Sequence, residues 1–260
     1  RNPLSSPYTL GVSHAAAFGA AFAITTLGVG SLSHLISDSV VVRNPGLVTI
    51  CAFFGAMLAT AGLLLVAKYR SSQPEVMILV GVALAALFTA GTTFLQYFSS
   101  ADQIAAIVFW TFGDIGRATW GDLFLIMAII LPSIGYFFFA RWDYNAIDAG
   151  DETAHSLGVN VERVRTVAML LSSLITAVVV SFLGIIGFIG LVSPHMMRRV
   201  VGSDQRYLLP ASCIAGAIIL LGADMVARLI IAPAVLPVGV LTAFLGAPLF
   251  IYLLIGRSVS

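Results

Sequence analysis

Long apolar stretches separated by short polar breaks run through the whole chain. A helix needs about 20 predominantly apolar residues to cross a bilayer, and most of the stretches reach that length. Seven or eight of them can be marked, at approximately residues 10–36, 46–67, 76–98, 120–140, 164–182, 183–198, 209–231 and 237–255. The pattern predicts an all-α fold, a polytopic transmembrane helical bundle.

The number of segments depends on one run that contains no charged residue, from Thr166 to Met197. Its 32 residues are too many for one upright helix and slightly too few for two. Arginines at both ends can lengthen it, because their aliphatic stems remain in apolar surroundings while their charges reach the surface. A split at Leu183 gives eight segments, and no split gives seven.

Positive charge distinguishes the two counts, since Lys and Arg accumulate on the cytoplasmic side of membrane proteins. With the first loop in the cytoplasm and eight crossings, ten basic residues lie inside, and three, Arg43, Arg117 and Arg228, lie outside. With seven crossings the last four elements invert, and the count becomes seven against six. Eight crossings are therefore predicted.

Composition supports a membrane protein and excludes several kinds of chemistry. The chain is 59% hydrophobic and only 10% charged, whereas soluble domains carry about 25% charged residues. Its net charge of +1 offers no basic groove for nucleic acid. The one lysine, Lys68, is followed by Tyr69, so the phosphate-binding motif GxxxxGK[ST] cannot occur. The four histidines are far apart and the two cysteines form no cluster, so we predict no metal site and no cofactor.

Two constellations offer alternative functions. Asp224 and Arg228 are four residues apart on one helix face, where they can form a structural ion pair or serve an ion-coupled secondary transporter or channel. Such a transporter usually carries several acidic residues at mid-membrane, and only Asp224 is available. Ser193 and His195 suggest an intramembrane hydrolase, but residues two apart on a helix do not face each other. We favour a helix end bent by Pro194.

Two loops are long enough to hold structure. The segment 99–119 is external in the eight-crossing topology, with a short interfacial helix expected over Ala101–Asp114 and Trp110 and Trp120 in the aromatic belt. The cytoplasmic loop 141–163 is either an ordinary solvated connection or holds a short helix. Asp148, Asp151 and Glu152 would then lie at the positive end of this helix, and Gly158 would stop it.

Four stretches together resemble the FecCD-type permeases of ABC importers, which carry iron–siderophore complexes, haem and vitamin B12. They are NPLSSPYTLG at 2–11, GDETAHSLG at 150–158, GFIGLVSPHMMR at 187–198, and ADMVAR at 223–228 followed by LPVGVLTAFLGAPLF at 236–250. The resemblance implies about ten helices and places the first stretch after the second of them. We therefore expect one transmembrane domain, residues 1–260, that lacks the first two helices of the family.

The resemblance also implies partners and site residues. It implies a homodimer of permeases in a prokaryotic cell membrane, a cytoplasmic ATPase dimer, an external substrate-binding protein and a chain that is not itself an enzyme. By motif match, the residues that couple to the ATPase are Asp151, Glu152, Ala154, Ser156, Leu157 and Gly158. A cytoplasmic gate would include Asn2, Leu4, Ser71 and Ser72, and Arg228 would dock the binding protein. The expected cargo is an iron–siderophore, then cobalamin, then haem.

Overall fold

The computed structural model describes residues 10–28, 44–70, 74–230 and 235–255, and these ranges are predominantly helical. The helices are α1 (Val12–Thr26), α2 (Pro45–Arg70), α3 (Pro74–Tyr97), α4 (Ala101–Thr111), α5 (Trp120–Phe139), α6 (Arg141–Ala149), α7 (Asp151–Ser156), α8 (Val161–Leu183), α9 (Ile189–Val201), α10 (Gln205–Leu229) and α11 (Val238–Ile255). A 3₁₀ turn spans Ile115–Arg117. No strand occurs in the described ranges, and the predicted all-α bundle is confirmed.

Each of the eight predicted segments contains a helix. Five of these helices, α2, α3, α5, α8 and α10, are long and apolar enough to cross a membrane. The other three are shorter within the described residues, with 15 residues in α1, 13 in α9 and 18 in α11. At 1.5 Å per residue α9 is about 20 Å long, which is less than the roughly 30 Å of a hydrocarbon core.

The chain reverses direction at Leu183, as the split into eight segments requires. α8 begins beside α7, where Arg165 pairs with Asp151, and ends where the Leu183 carbonyl accepts a bond from the Asp114 N–H. α9 then starts beside the carboxyl-terminal half of α10 and ends at the short turn that leads into the start of α10. α8 and α9 therefore run in opposite directions, with Gly184 (φ 76°) at the start of the connection.

Helices α1 and α2 pack through small side chains. A Cβ at Gly19 would lie 2.1 Å from the carbonyl oxygen of Cys51, and one at Gly55 would lie 2.2 Å from that of Ala15. Alanines fill the rest of the contact, including Ala16, Ala20, Ala23, Ala52, Ala56 and Ala59, all of which are fully buried. Close backbone approach of this kind replaces the hydrophobic effect as the packing force between helices in lipid.

The short helix α4 lies across the end of the bundle that the charge count places outside the membrane. We call this the outer end, and the opposite end the inner end. Its amino terminus has a capping box between Ser100 and Gln103, and the Gln103 amide lies within 3.4 Å of the Ile24 carbonyl at the end of α1. The predicted interfacial helix is therefore present, but the assignment of Trp110 to an aromatic belt is wrong. Trp110 is only 6% exposed because α4 turns it toward the core, whereas Trp120 is 80% exposed and can occupy the interface.

Candidate functional site

At the inner end of the molecule, the loop 141–163 contains two helices, α6 and α7, and the predicted coupling residues 151–158 lie in α7 and directly after it. α6 and α7 are separated by Gly150, whose φ of 128° a residue with a side chain rarely adopts. Asp151 and Glu152 occupy the first turn of α7, as expected for its positive end. The placement of Asp148 there was wrong, since it lies in the last turn of α6 and accepts a hydrogen bond from Gln205.

The carboxyl end of α7 is closed by a Schellman motif. The Val159 N–H bonds the Ala154 carbonyl and the Gly158 N–H bonds the His155 carbonyl, both at 3.0 Å, with Gly158 at φ 82°. Ala154 is completely buried, whereas Leu157 is 67% exposed. The motif thus fixes α7 with one side packed inward and a large apolar side chain facing away from the protein.

Asp151 is bonded within the protein to the start of α8. Its carboxylate accepts two bonds from the Arg165 guanidinium, at 2.8 and 2.9 Å. The two side chains are 50% and 30% exposed, so water weakens the attraction between them. The bidentate geometry still fixes the orientation of α7 relative to α8.

α6 is joined to the start of α10 by a group of six residues that we call the clasp. Trp142, Asn145 and Asp148 of α6 meet Asp204, Gln205 and Arg206 at the α10 amino terminus. The Asn145 amide donates to Asp204 (2.9 Å) and accepts from the Gln205 N–H (2.8 Å), while the Gln205 amide donates to Asp148 (2.9 Å). The Arg206 guanidinium pairs with Asp204 and lies 4.7 Å from the centre of the Trp142 ring.

The bonds of the clasp favour the ionised form of the Asp204 carboxyl. Hydrogen bonds from Arg206 and then from Asn145 hold the pKa of the Asp204 carboxyl well below its usual range. A carboxyl with a lowered pKa stabilises the folded state above its ordinary pKa, and this contribution is lost only as the pH falls through the lowered value. The contact between Asn145 and Gln205 was not predicted from the sequence, because the two residues are 60 positions apart and meet only in the folded protein.

At the outer end, Asp224 and Arg228 form an ion pair along one face of α10. Arg228 Nε lies 2.8 Å from one carboxylate oxygen, and its terminal nitrogen lies 3.3 Å from the other. The Asp224 side chain is only 17% exposed and the Arg228 side chain is 50% exposed. The aspartate is thus bonded inside the protein, while the arginine still presents donors at the surface.

Next to this pair, three connecting segments meet in a backbone network that we call the outer junction. Asp114 N–H bonds the Leu183 carbonyl (2.9 Å), Gly239 N–H bonds the Gly113 carbonyl (3.1 Å), and Leu236 N–H bonds the Ala227 carbonyl (3.2 Å). The guanidinium of Arg117 donates to three further carbonyls, those of Phe109, Trp110 and Phe112. The junction therefore links the ends of α4, α8 and α10 to the start of α11.

Phe188 lies beside the outer junction in a strained conformation. Its φ of 66° is left-handed, and within the described ranges no other non-glycine residue has a positive φ. The Phe188 Cβ fits against α11 only because residue 246 is glycine, where a Cβ would be 2.4 Å away. Phe188 lines three cavities of about 330, 150 and 200 Å³, and residues of α9 line the two smaller ones.

The remaining predicted sites are not brought into catalytic arrangements. The Ser193 hydroxyl donates to the Ile189 carbonyl of its own helix (2.7 Å), and the His195 ring lies beside Phe250 at 6.2 Å. Pro194 lies inside α9, so the predicted helix end at this residue is wrong. Among the described residues no cluster of His, Cys, Asp or Glu could hold a metal ion. The predicted gate residues Asn2, Leu4, Ser71 and Ser72 lie outside the described residues.

Comparisons with known proteins give consistent results. The model of the FecCD transport family matches residues 1–256. A protein of Methanocaldococcus jannaschii classed as an ABC transporter permease is 54% identical, over 98% of this chain and 72% of that protein. The hemin transport system permease of Yersinia pestis is 35% identical, over 98% and 74%. An inward-facing structure described as a metal-chelate type ABC transporter superimposes with a TM-score of 0.83 at 30% identity, over 98% of this chain and 78% of that one.

Proposed function

Because the chain belongs to the FecCD transport family, we propose that it forms the translocation pathway of an importer that takes up a metal chelate. It is a multi-pass membrane protein of the prokaryotic cell membrane and a permease subunit of the ABC importer class. In this proposal a separate cytoplasmic ATPase dimer drives transport, an external binding protein delivers the cargo, and a second copy of the chain completes the pathway. The chain itself catalyses no reaction.

The observation that carries the proposal is the shape of α7 at the inner end. The helix is fixed by its Schellman motif and by the Asp151–Arg165 pair, yet it presents Leu157 to the outside. A short, rigid helix with one exposed apolar residue suits a groove in a partner protein better than it suits water, where two turns of helix are marginal. Support for Asp151, Glu152, Ala154, Ser156, Leu157 and Gly158 as coupling residues comes from this geometry.

The first experiment is co-purification of the full-length protein with its ATPase from mild detergent. We expect two ATPase chains for two permease chains. Leu157→Asp should reduce the amount of bound ATPase at least tenfold. The control is Leu170→Asp, which changes an exposed apolar residue of α8. The fraction of this variant that folds should still bind the ATPase. A preparation without ATPase, from cells that express the partner genes, would favour the ion-coupled alternative and direct attention to Asp224.

Docking of the binding protein is assigned to the outer end through Arg228. Its half-exposed guanidinium has room to donate hydrogen bonds to an acidic partner while it stays paired with Asp224. Arg228→Glu should weaken docking at least tenfold in a direct binding measurement. Asp224→Asn removes the carboxylate of the ion pair but keeps the arginine charge, so docking should be largely retained. Equal affinity of Arg228→Glu and the unmodified protein would leave Arg228 only as the partner of Asp224.

A second copy of the chain fits the exposed face of α3. This face carries small residues at helical spacing, with Ala86 and Ala90 beside Thr89 and Thr93, and they line an open groove. Small residues four apart allow two helices in a bilayer to approach closely. Ala90→Trp should therefore shift the permease from dimer to monomer in light scattering, whereas Leu79→Trp, on the same helix but outside the groove, should not.

The cargo proposal is a metal chelate, with an iron–siderophore first, cobalamin second and haem third. The cavity of about 330 Å³ at the outer junction is lined largely by apolar side chains, including Phe112, Phe188 and Phe244. Apolar walls without metal ligands suit a chelate that must be released again, because they would not compete for its metal. Stimulation of ATP hydrolysis by binding proteins loaded with each chelate class identifies the cargo.

A further inference from the structure

Asn145 of α6 bonds the backbone of α10. An ATPase that displaces α6 and α7 would therefore also displace α10. We propose that Asn145 and Gln205 are positioning residues that make α6 and the amino-terminal end of α10 move as one body. A displacement of the coupling element is then delivered directly to α10. The inference rests on the proposed function, since it presupposes an ATPase that acts on α7.

The first argument is that Asn145 bonds the main chain of α10. The first turn of any helix has N–H groups without partners inside the helix. In α10, the Arg206 N–H is bonded by the Asp204 side chain, and the Gln205 N–H is bonded by the Asn145 amide oxygen at 2.8 Å. Asn145 thus supplies a cap for α10 from another helix. A bond to the main chain transmits displacement to the helix itself, not only to a side chain.

The second argument is that the attachment has three points. Trp142, Asn145 and Asp148 follow at intervals of three residues and therefore lie on one face of α6. They meet the consecutive residues Asp204, Gln205 and Arg206 by stacking and hydrogen bonding. Three contacts fix orientation as well as distance, so α6 cannot rotate against α10 without breaking at least one of them.

α10 extends from the clasp to the outer end of the bundle. Its 25 residues run from the clasp to the Asp224–Arg228 pair and the outer junction, a length of about 37 Å. A single helix therefore connects the element beneath the bundle with the surface assigned to the binding protein. Under this inference, α10 carries the signal between ATP hydrolysis and the outer surface in both directions.

The test uses the complete complex of permease, ATPase and binding protein in proteoliposomes, with uptake and ATP hydrolysis measured together. Asn145→Ala and Gln205→Ala should lower cargo taken up per ATP by about fivefold or more, with hydrolysis itself less affected. The matched control is Asn160→Ala, because Asn160 also caps a helix, accepting a bond from the Arg163 N–H at 3.0 Å, but lies outside the clasp. It should leave uptake per ATP unchanged.

A cross-link tests the shared movement without relying on loss of function. Cys51→Ser and Cys213→Ser remove the native thiols, and Asn145→Cys with Gln205→Cys places a pair across the clasp for a short bifunctional thiol reagent. If α6 and α10 move as one body, linking them should not impair transport. The cross-linked protein should transport at least as fast as the same double-cysteine protein before linking. Loss of transport on linking, restored by cleaving the linker, would overturn the inference, as would clasp variants with normal uptake per ATP.

Failure of the inference can be distinguished from failure of the proposed function. If the unmodified complex shows no ATP-driven uptake, the proposed function is wrong. If the unmodified complex transports and the clasp variants transport with the same efficiency, only the clasp inference is wrong. If Asn145→Ala does not fold, Gln205→Ala, which removes a single side-chain bond and keeps the Asn145 amide, decides the outcome.

Discussion

At the scale of single residues, Gly19 and Gly55 set the distance between α1 and α2. A Cβ at Gly19 would lie 2.1 Å from a carbonyl oxygen of α2, so Gly19→Ala must push the two helices apart. We expect a loss of about 1–3 kcal/mol, as for other overpacked interiors. The measurement is thermal unfolding of the purified protein in detergent.

The control for this substitution lies in α2, at its contact with α3. Gly62→Ala in α2 would place its Cβ 3.7 Å from the Leu84 methyl groups, an ordinary contact. It should be neutral or slightly stabilising, because alanine favours a helix over glycine. Equal effects of the two substitutions would show that the spacing of α1 and α2 is not set by Gly19.

The strain at Phe188 can be measured with two substitutions that both delete the ring. A left-handed conformation costs an L-residue roughly 1–2 kcal/mol, and glycine is free of this cost. Phe188→Gly should therefore be more stable than Phe188→Ala by about 1 kcal/mol, after allowing for the greater entropy of glycine in the unfolded chain. If alanine is the more stable replacement in thermal unfolding, the backbone at 188 is not strained.

The residues of the site differ in how far the sequence could predict them. Asp224 and Arg228 can be paired from their spacing alone, because residues four apart on a helix are neighbours. Asn145 and Gln205 meet through tertiary packing, and short polar side chains carry no signal of a partner 60 positions away. Trp110 was misplaced for a related reason, since its burial depends on how α4 lies against the bundle.

At the scale of elements, the Asp151–Arg165 pair provides a test of how α7 acts. Asp151→Arg should reduce transport, because it places two cations side by side and releases α7 from α8. If the role of Asp151 is to hold α7 in place, the charge-swapped protein Asp151→Arg with Arg165→Asp should recover much of the activity in uptake assays.

The swap also distinguishes two possible roles of the acidic residues in α7. No recovery in the swapped protein would mean that Asp151 contacts the ATPase directly. Glu152 is exposed and lies in the same turn, so Glu152→Lys serves as the comparison for direct contact. It should impair stimulation of ATP hydrolysis without changing thermal stability.

The hydrophobic pattern was sufficient to locate the apolar helices, but not to locate the breaks between neighbouring helices. The eight apolar segments were all located, since length and polarity mark them directly. The pattern did not show that Gly150 divides the inner loop into two helices, because that break depends on one backbone angle. It also placed the start of α9 too early, because the predicted segment 183–198 begins with the connection 184–188, and the helix itself starts at Ile189.

At the scale of the whole molecule, the eight-segment topology predicts which surfaces are reached from each side of the membrane. In a background without Cys51 and Cys213, Ser203→Cys and His155→Cys should react with an impermeant thiol reagent only from the cytoplasm. Ala101→Cys should react only from outside. All three positions are exposed. Reaction of Ser203→Cys from outside would return the count to seven crossings.

The distribution of charge over the whole molecule explains why this topology was accessible from sequence. Basic residues near the inner end include Arg141, Arg163, Arg165, Arg198 and Arg199, and the helix directions in the structure place them together. The arrangement of helices in the bundle could not be predicted in the same way, since it follows from packing between Gly, Ala and a few large side chains.

The outer junction makes the two ends of the bundle unequal. At that end, bonds between main-chain groups join the ends of α8 and α10 to the start of α11, whereas at the inner end the bonds from α6 and α7 to α8 and α10 each involve a side chain. We therefore expect α10 to pivot about the outer junction. A tilt of about 5° there would swing the inner end of a 37 Å helix by about 3 Å. If the proposed binding protein docks at the outer end, a slight rearrangement beside it would therefore become a larger displacement at the inner end.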